Sequence, residues 1–166
     1  MLAATETAPV TLQVLIIEDV DHKFEEVQTL VLNALNPTPS ITRAATVVEA
    51  EDAVNSGKWD LVVVDISMDI APGTSSSTRE AHANLGGMDI IEQMYLLEKE
   101  APTVIVTGFD YFIRVGLDTD LHEAQTFSDL EVQAREWIGS NLLGCVRYGE
   151  VGWEALLNAC LQGVST

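Results

Sequence analysis

The stretch DLVVVDISMD, residues 60–69, runs four β-forming side chains in succession, Leu61 to Val64, straight into a carboxylate at Asp65. A strand with one wet face alternates apolar and polar residues, whereas an unbroken apolar run belongs to a strand covered on both faces, the usual state of a parallel sheet. An ionised group is least welcome there. Asp65 therefore marks the point at which the strand leaves the core, and it is either a turn or helix cap or part of a site.

Working outward, TLQVLII (Thr11 to Ile17) reads as a first strand, and apolar residues then recur with helical spacing at Phe24, Val27, Val31, Ala34 and Leu35 until NPTPS stops them. A weaker strand from Ile41 to Ala45 precedes a helical stretch from Val47 to Ser56, with Gly57 as its stop. After Asp65 the segment ISMDIAPGTSSSTREAHANLG has no sustained period, and GMDIIEQMYLLEKE resumes helical spacing at Met88, Ile91, Met94 and Tyr95. PTVIVTG reads as a fourth strand ending at Thr107 and Gly108. FSDLEVQAREWIGSN reads as a helix with a Ser128 cap and Leu130, Ala134, Trp137 and Ile138 inward. LLGCVRY is a fifth strand, and VGWEALLNACL places Trp153, Leu156, Leu157 and Cys160 on one helical face. Five strands alternating with helices predict an α/β fold: a doubly wound, five-stranded parallel sheet with helices on both sides, whose carboxyl edge opens as a binding crevice. The expectation is one domain over residues 1–166, with expanded loops at about 66–86 and 109–127.

Composition narrows the partners. Eight Lys and Arg against 26 Asp and Glu give a formal charge of −18, which repels nucleic-acid backbones and anionic lipid surfaces. The start of the chain has no basic and apolar leader pattern, and no run reaches the roughly 20 apolar residues of a membrane span, so a cytoplasmic location is expected. Cys145 and Cys160 fall in apolar segments without metal-ligand spacing, and read as buried, reduced thiols. Trp59, Trp137 and Trp153 read as packing residues, and His22, His82 and His122 as solvated side chains.

The first strand also ends in acid. In LIIEDVD, Glu18 and Asp19 follow Ile17 directly, and Asp21 lies two residues further on. If the first and third strands are neighbours, Glu18, Asp19 and Asp65 share one rim, and so many like charges either raise a pKa or demand a cation. Mg2+ takes oxygen ligands beside phosphate and suits such a rim better than Zn2+. Thr107 ends the fourth strand on the same rim, where its hydroxyl and the amide after it can hold a phosphoryl oxygen. Each acid taken singly is as readily a turn or cap.

Four elements, VLIIED, LVVVD, GGMDII and VIVTG, stand in an order and at strand ends that resemble the receiver domain of two-component response regulators, over nearly the whole chain. The resemblance implies a flavodoxin-like (βα)5 three-layer sandwich working in a phosphorelay. It implies that Asp65 accepts a phosphoryl group from a phosphohistidine of a sensor histidine kinase or phosphotransfer protein. Glu18, Asp19, Asp65 and the main-chain carbonyl of Ser67 would hold Mg2+, and Thr107 would bind the incoming phosphoryl oxygen. It places Arg147 where the family carries a lysine, Tyr148 where it carries a proline, and Gly144 where it carries a switch aromatic. Only a few residues follow the last helix, so output is expected through contacts with a downstream protein or a second copy of the chain. Catalysis would extend no further than self-phosphorylation and dephosphorylation.

Two other functions compete. The missing lysine, proline and switch aromatic suit a phosphorylation-independent interaction or dimerisation module. A Mg2+-dependent phosphohydrolase using Asp65 as nucleophile would want a second aspartate two residues on, where this chain has Ser67. The 66–86 loop reads as a lid, a partner surface or an inert insertion, and the acids after Arg114 as a solvated face.

Overall fold

The computed structural model describes residues 8–68, 85–108, 111–115 and 122–164. Its elements are β1 (Gln13–Ile17), α1 (Asp21–Ala34), β2 (Ser40–Ala44), α2 (Val47–Ser56), β3 (Leu61–Val64), α3 (Gly86–Leu96) and β4 (Thr103–Thr107). They continue with β5 (Tyr111–Val115), β6 (His122–Thr126), α4 (Phe127–Ile138), a 3-10 turn (Gly139–Asn141), β7 (Leu142–Arg147) and α5 (Trp153–Leu161). The expected doubly wound sheet is present: five parallel strands in the order β2-β1-β3-β4-β7. Strand order reverses between β1 and β3, which places the crevice beside the acids that end those two strands.

The unbroken apolar runs are explained by what covers each face. Leu15, Ile17, Val62, Val64 and Ile105 pack under α2, α3 and α4, while Val14, Ile16, Leu61, Val63, Val104 and Val106 pack under α1 and α5. Successive residues of one strand thus enter opposite cores, and every position has to be apolar. Each fully buried Leu or Ile contributes about 1.5–3 kcal/mol relative to an exposed one, so this sandwich is what fixes the rim in place.

Several local expectations are corrected. The cap of α4 is Thr126 and not Ser128: the Thr126 hydroxyl accepts from the Asp129 amide at 3.2 Å while Asp129 Oδ2 accepts from the Thr126 amide at 2.9 Å. The inward face of α5 is Trp153, Leu157 and Leu161, with Leu156 turned outward at 49% exposed. The segment after β4 contains an antiparallel pair, β5 with β6, before α4 begins. Its local signal was the apolar YFIRV, and its partner HEAQT carries little strand pattern. Most of the 66–86 loop, including His82, lies outside the described residues.

β7 joins β4 with an irregularity: Thr103 pairs with Leu142 but Val104 pairs with Gly144, leaving Leu143 as an extra residue. A Cβ on Gly144 would stand 2.6 Å from Cys160 Sγ, so a side chain here requires that sulfur to move.

Candidate functional site

Register brings the acids together. Ile17 of β1 sits opposite Val64 of β3, so Glu18 and Asp65 leave their strands side by side. The Asp65 amide donates to the Ile17 carbonyl at 3.0 Å, and the Glu18 amide to the Ala44 carbonyl at 3.0 Å, which extends the ladder one residue past each strand. Carboxylate oxygens of Glu18, Asp19 and Asp65 all lie within 4.8 Å of one another. Glu18 and Asp65 are buried, whereas Asp19 is exposed at the mouth. Burial, with the Asp65 charge beside it, pushes the Glu18 carboxyl up to about 7. Asp19 is raised for the same reasons, desolvation by the surrounding protein first.

Asp65 is held in one orientation. Its Oδ1 accepts from the Ser67 amide at 3.2 Å and from the Ser67 hydroxyl at 3.1 Å, and its Oδ2 also lies 3.1 Å from that hydroxyl. The start of α3 presses on the same loop: the Gly87 amide donates to the Ile66 carbonyl at 3.1 Å, and a Cβ on Gly87 would stand 2.1 Å from the Asp65 carbonyl oxygen. A Cβ on Gly86 would stand 2.6 Å from the Met68 carbonyl oxygen. Both glycines are thus required by backbone lying against backbone, which accounts for the GGMDII signature.

Thr107 ends β4, the strand next to β3, and is fully buried. Among the described residues its hydroxyl has no hydrogen-bond partner. A buried hydroxyl without a partner forfeits about 1–3 kcal/mol, an arrangement that a bound polar atom would relieve.

Two basic residues that the sequence reading passed over serve this rim. Lys23, in the first turn of α1, is 5% exposed and places Nζ 2.6 Å from Glu18 Oε2 and 3.1 Å from Asp65 Oδ2. The signal was there: Lys23 precedes Val27 and Val31 by four and eight residues, on the stripe that α1 buries. Arg43, near the end of β2, donates from Nε to the Glu18 carbonyl at 3.0 Å and from Nη2 to the Asp19 carbonyl at 3.2 Å and Asp21 Oδ1 at 2.8 Å. It ties the acidic turn to the sheet, and its guanidinium also lies 4.5 Å from the Phe24 ring centroid.

Arg147 ends β7 opposite Thr107, is exposed, and places its guanidinium 4.7 Å from the Phe127 ring centroid. Tyr148 donates its amide to the Thr107 carbonyl at 2.9 Å and its hydroxyl to Glu26 Oε2 at 2.6 Å. Its ring meets Trp153 edge to face at 4.8 Å and stands 5.4 Å from Lys23 Nζ. Desolvation, with the bond to Glu26, pushes the phenol up to about 12. His22 is exposed and lines an open concavity of about 450 Å³ with Glu25, Glu26 and Trp153, apart from the acid cluster.

The donor set is chemically consistent with a divalent cation. Three carboxylates and one ammonium leave an oxygen-only donor set of net negative charge, the kind that suits a hard divalent ion such as Mg2+.

No family model matches the sequence, and no curated protein matches it. Solved structures do. A chemotaxis response regulator of Vibrio cholerae superposes with a TM-score of 0.58 at 15% identity, over 94% of this chain and 100% of that one. A CheY-like response regulator receiver domain protein from Methanospirillum hungatei gives 0.55 at 16% identity, over 93% and 94%. The signal receiver domain of an HD domain-containing protein from Pseudomonas fluorescens gives 0.56 at 15% identity, over 93% and 94%. The chain therefore has the receiver, flavodoxin-like fold, at a sequence distance where the likeness speaks for fold alone.

Proposed function

We propose that the chain, as one receiver-like unit over residues 1–166 with expansions at 66–86 and 109–127, accepts a phosphoryl group on Asp65 and signals through protein contacts. The observation that carries this reading is the convergence of Glu18, Asp19 and Asp65 within 4.8 Å, beside the hydroxyl of Thr107 on the next strand, which has no partner among the described residues. An Asp65 carboxylate oxygen attacks the phosphorus of a phosphohistidine on a kinase or phosphotransfer protein. The P–N bond breaks, its electron pair leaves with the imidazole, and an aspartyl phosphate forms. Ser67 keeps Asp65 aimed, Thr107 donates to a phosphoryl oxygen, and Arg147 supplies positive charge on the same rim. Glu18, Asp19, Asp65 and the Ser67 carbonyl are the groups that would hold Mg2+, which when bound supplies the charge neutralisation this transfer needs more than it needs a base. An added phosphate beside Thr107 then biases the surface formed by β4 and β7.

A second reading, a phosphorylation-independent interaction module, is favoured by Gly144 and by Lys23, which already neutralises the acceptor. Acetyl phosphate or beryllofluoride with Mg2+ separates the two. Modification of the protein that disappears in Asp65→Asn supports the first, and no modification under any condition supports the second. Ser67, bonded to Asp65, stands where a phosphohydrolase would need its second acid.

A further inference from the structure

Lys23 sits where a metal ion would compete with it. Every carboxylate oxygen of the two buried acids already has a donor: Glu18 Oε1 accepts from the Val20 amide at 3.0 Å and Oε2 from Lys23, while Asp65 Oδ1 accepts from Ser67 and Oδ2 from Ser67 and Lys23. The two contacts of Nζ, 2.6 and 3.1 Å, bridge β1 to β3 across the switch point. The Tyr148 ring, whose hydroxyl donates to Glu26, has its centroid 5.4 Å from the ammonium. Desolvating an ammonium is strongly unfavourable unless carboxylates surround it, so this placement is stable only because of Glu18 and Asp65. A chain with eight basic residues and a net charge of −18 commits one of them to this pocket, where solubility gains nothing.

We propose that Lys23 is the resident cation of the site and competes with a divalent ion for Glu18 and Asp65. This rests on reading the acid cluster as a cation site, as above. A divalent ion approaching those oxygens meets a positive charge about 3 Å from each of them and enters only as Nζ withdraws. Metal binding and release of Lys23 are then one coupled event. The metal-free pocket is already partly neutralised by its own side chain.

The test is Mg2+ titration by calorimetry on the full chain, wild type against Lys23→Met, with Lys58→Met as a charge-matched control on an exposed lysine. Lys23→Met is expected to bind Mg2+ about tenfold or more tighter than wild type, and Lys58→Met to match wild type. In wild type, the NMR signal of the Lys23 ammonium is expected to shift in step with Mg2+ occupancy. If Lys23→Met folds only with Mg2+ present, that dependence supports the proposal equally. Equal or weaker Mg2+ binding by Lys23→Met, no binding by either protein, or a Lys23 signal unmoved at saturating Mg2+ overturns it. Acetyl phosphate labelling runs alongside. Tighter Mg2+ binding without labelling of Asp65 removes the phosphoacceptor reading and leaves the competition standing, and labelling with unchanged Mg2+ affinity does the reverse.

Discussion

Nζ of Lys23 stands 3.1 Å from Oδ2 of Asp65, so the acid that ends β3 meets a counter-charge supplied by the first turn of α1. Breaking a buried pair from one side costs about 3–5 kcal/mol, because the remaining charges stay buried without compensation. Lys23→Met in EDTA is expected to lose about 3 kcal/mol of stability, read by urea denaturation. A loss below about 1 kcal/mol would place the contact in the class of solvated surface pairs.

Thr107→Val separates resting stability from ligand recognition. Removing a buried hydroxyl that has no partner among the described residues is expected to leave the metal-free protein equally stable or about 1 kcal/mol more stable. Beryllofluoride binding with Mg2+ should weaken by about tenfold or more, since one donor to the phosphoryl mimic is lost. Unchanged binding would remove Thr107 from the site.

The raised Glu18 pKa fixes a pH dependence. Its carboxyl titrates near 7 in the folded protein against 4.5 in the unfolded chain, so between those values the folded state holds the extra proton. Stability from this group is fully present below pH 4.5 and is lost as pH rises through about 7. In EDTA, wild type should lose on the order of 3 kcal/mol over that window relative to Glu18→Gln, as one pKa unit is worth about 1.36 kcal/mol. Parallel curves for the two proteins would contradict the assignment.

Gly87→Ala drives a methyl to 2.1 Å from the Asp65 carbonyl oxygen, which is backbone and cannot turn aside. The expected result is a loss of about 3 kcal/mol or more, as overpacking against a rigid neighbour gives, together with displacement of the loop carrying Asp65. Thermal denaturation reads the first effect, and amide shifts of Ile66 and Ser67 read the second.

Gly144→Ala meets a side chain instead, Cys160 Sγ at 2.6 Å. A loss of about 1–2 kcal/mol is expected, and Cys160→Ala should recover most of it in the double variant, because the collision is with that sulfur alone. No recovery would mean that the strand itself rejects a side chain at this position.

Much of the fold was legible locally. Leu61–Val64 and Thr103–Thr107 announce doubly covered strands because burial on both faces forbids polar residues, and Gly57 and Pro102 punctuate them. Helices were legible where one face is buried, and least so at their edges, where Thr126 and Ser128 offer equivalent caps and only the backbone selects one. The β5–β6 pair was missed because HEAQT has no strand-like alternation of its own and pairs with a partner five residues long.

The sequence by itself determined which acids end which strands, because the transition from apolar run to carboxylate is written within a few consecutive residues. It left open whether the first and third strands are neighbours, and the β1–β3 pairing that brings Glu18, Asp19 and Asp65 together is long-range. Only the tertiary structure decided which cation meets them. Charge pairing acts through space, and the choice among the chain's basic residues depends on how α1 packs on the sheet. That packing turns the stripe of Lys23, Val27 and Val31 inward, and puts an ammonium between Glu18 and Asp65.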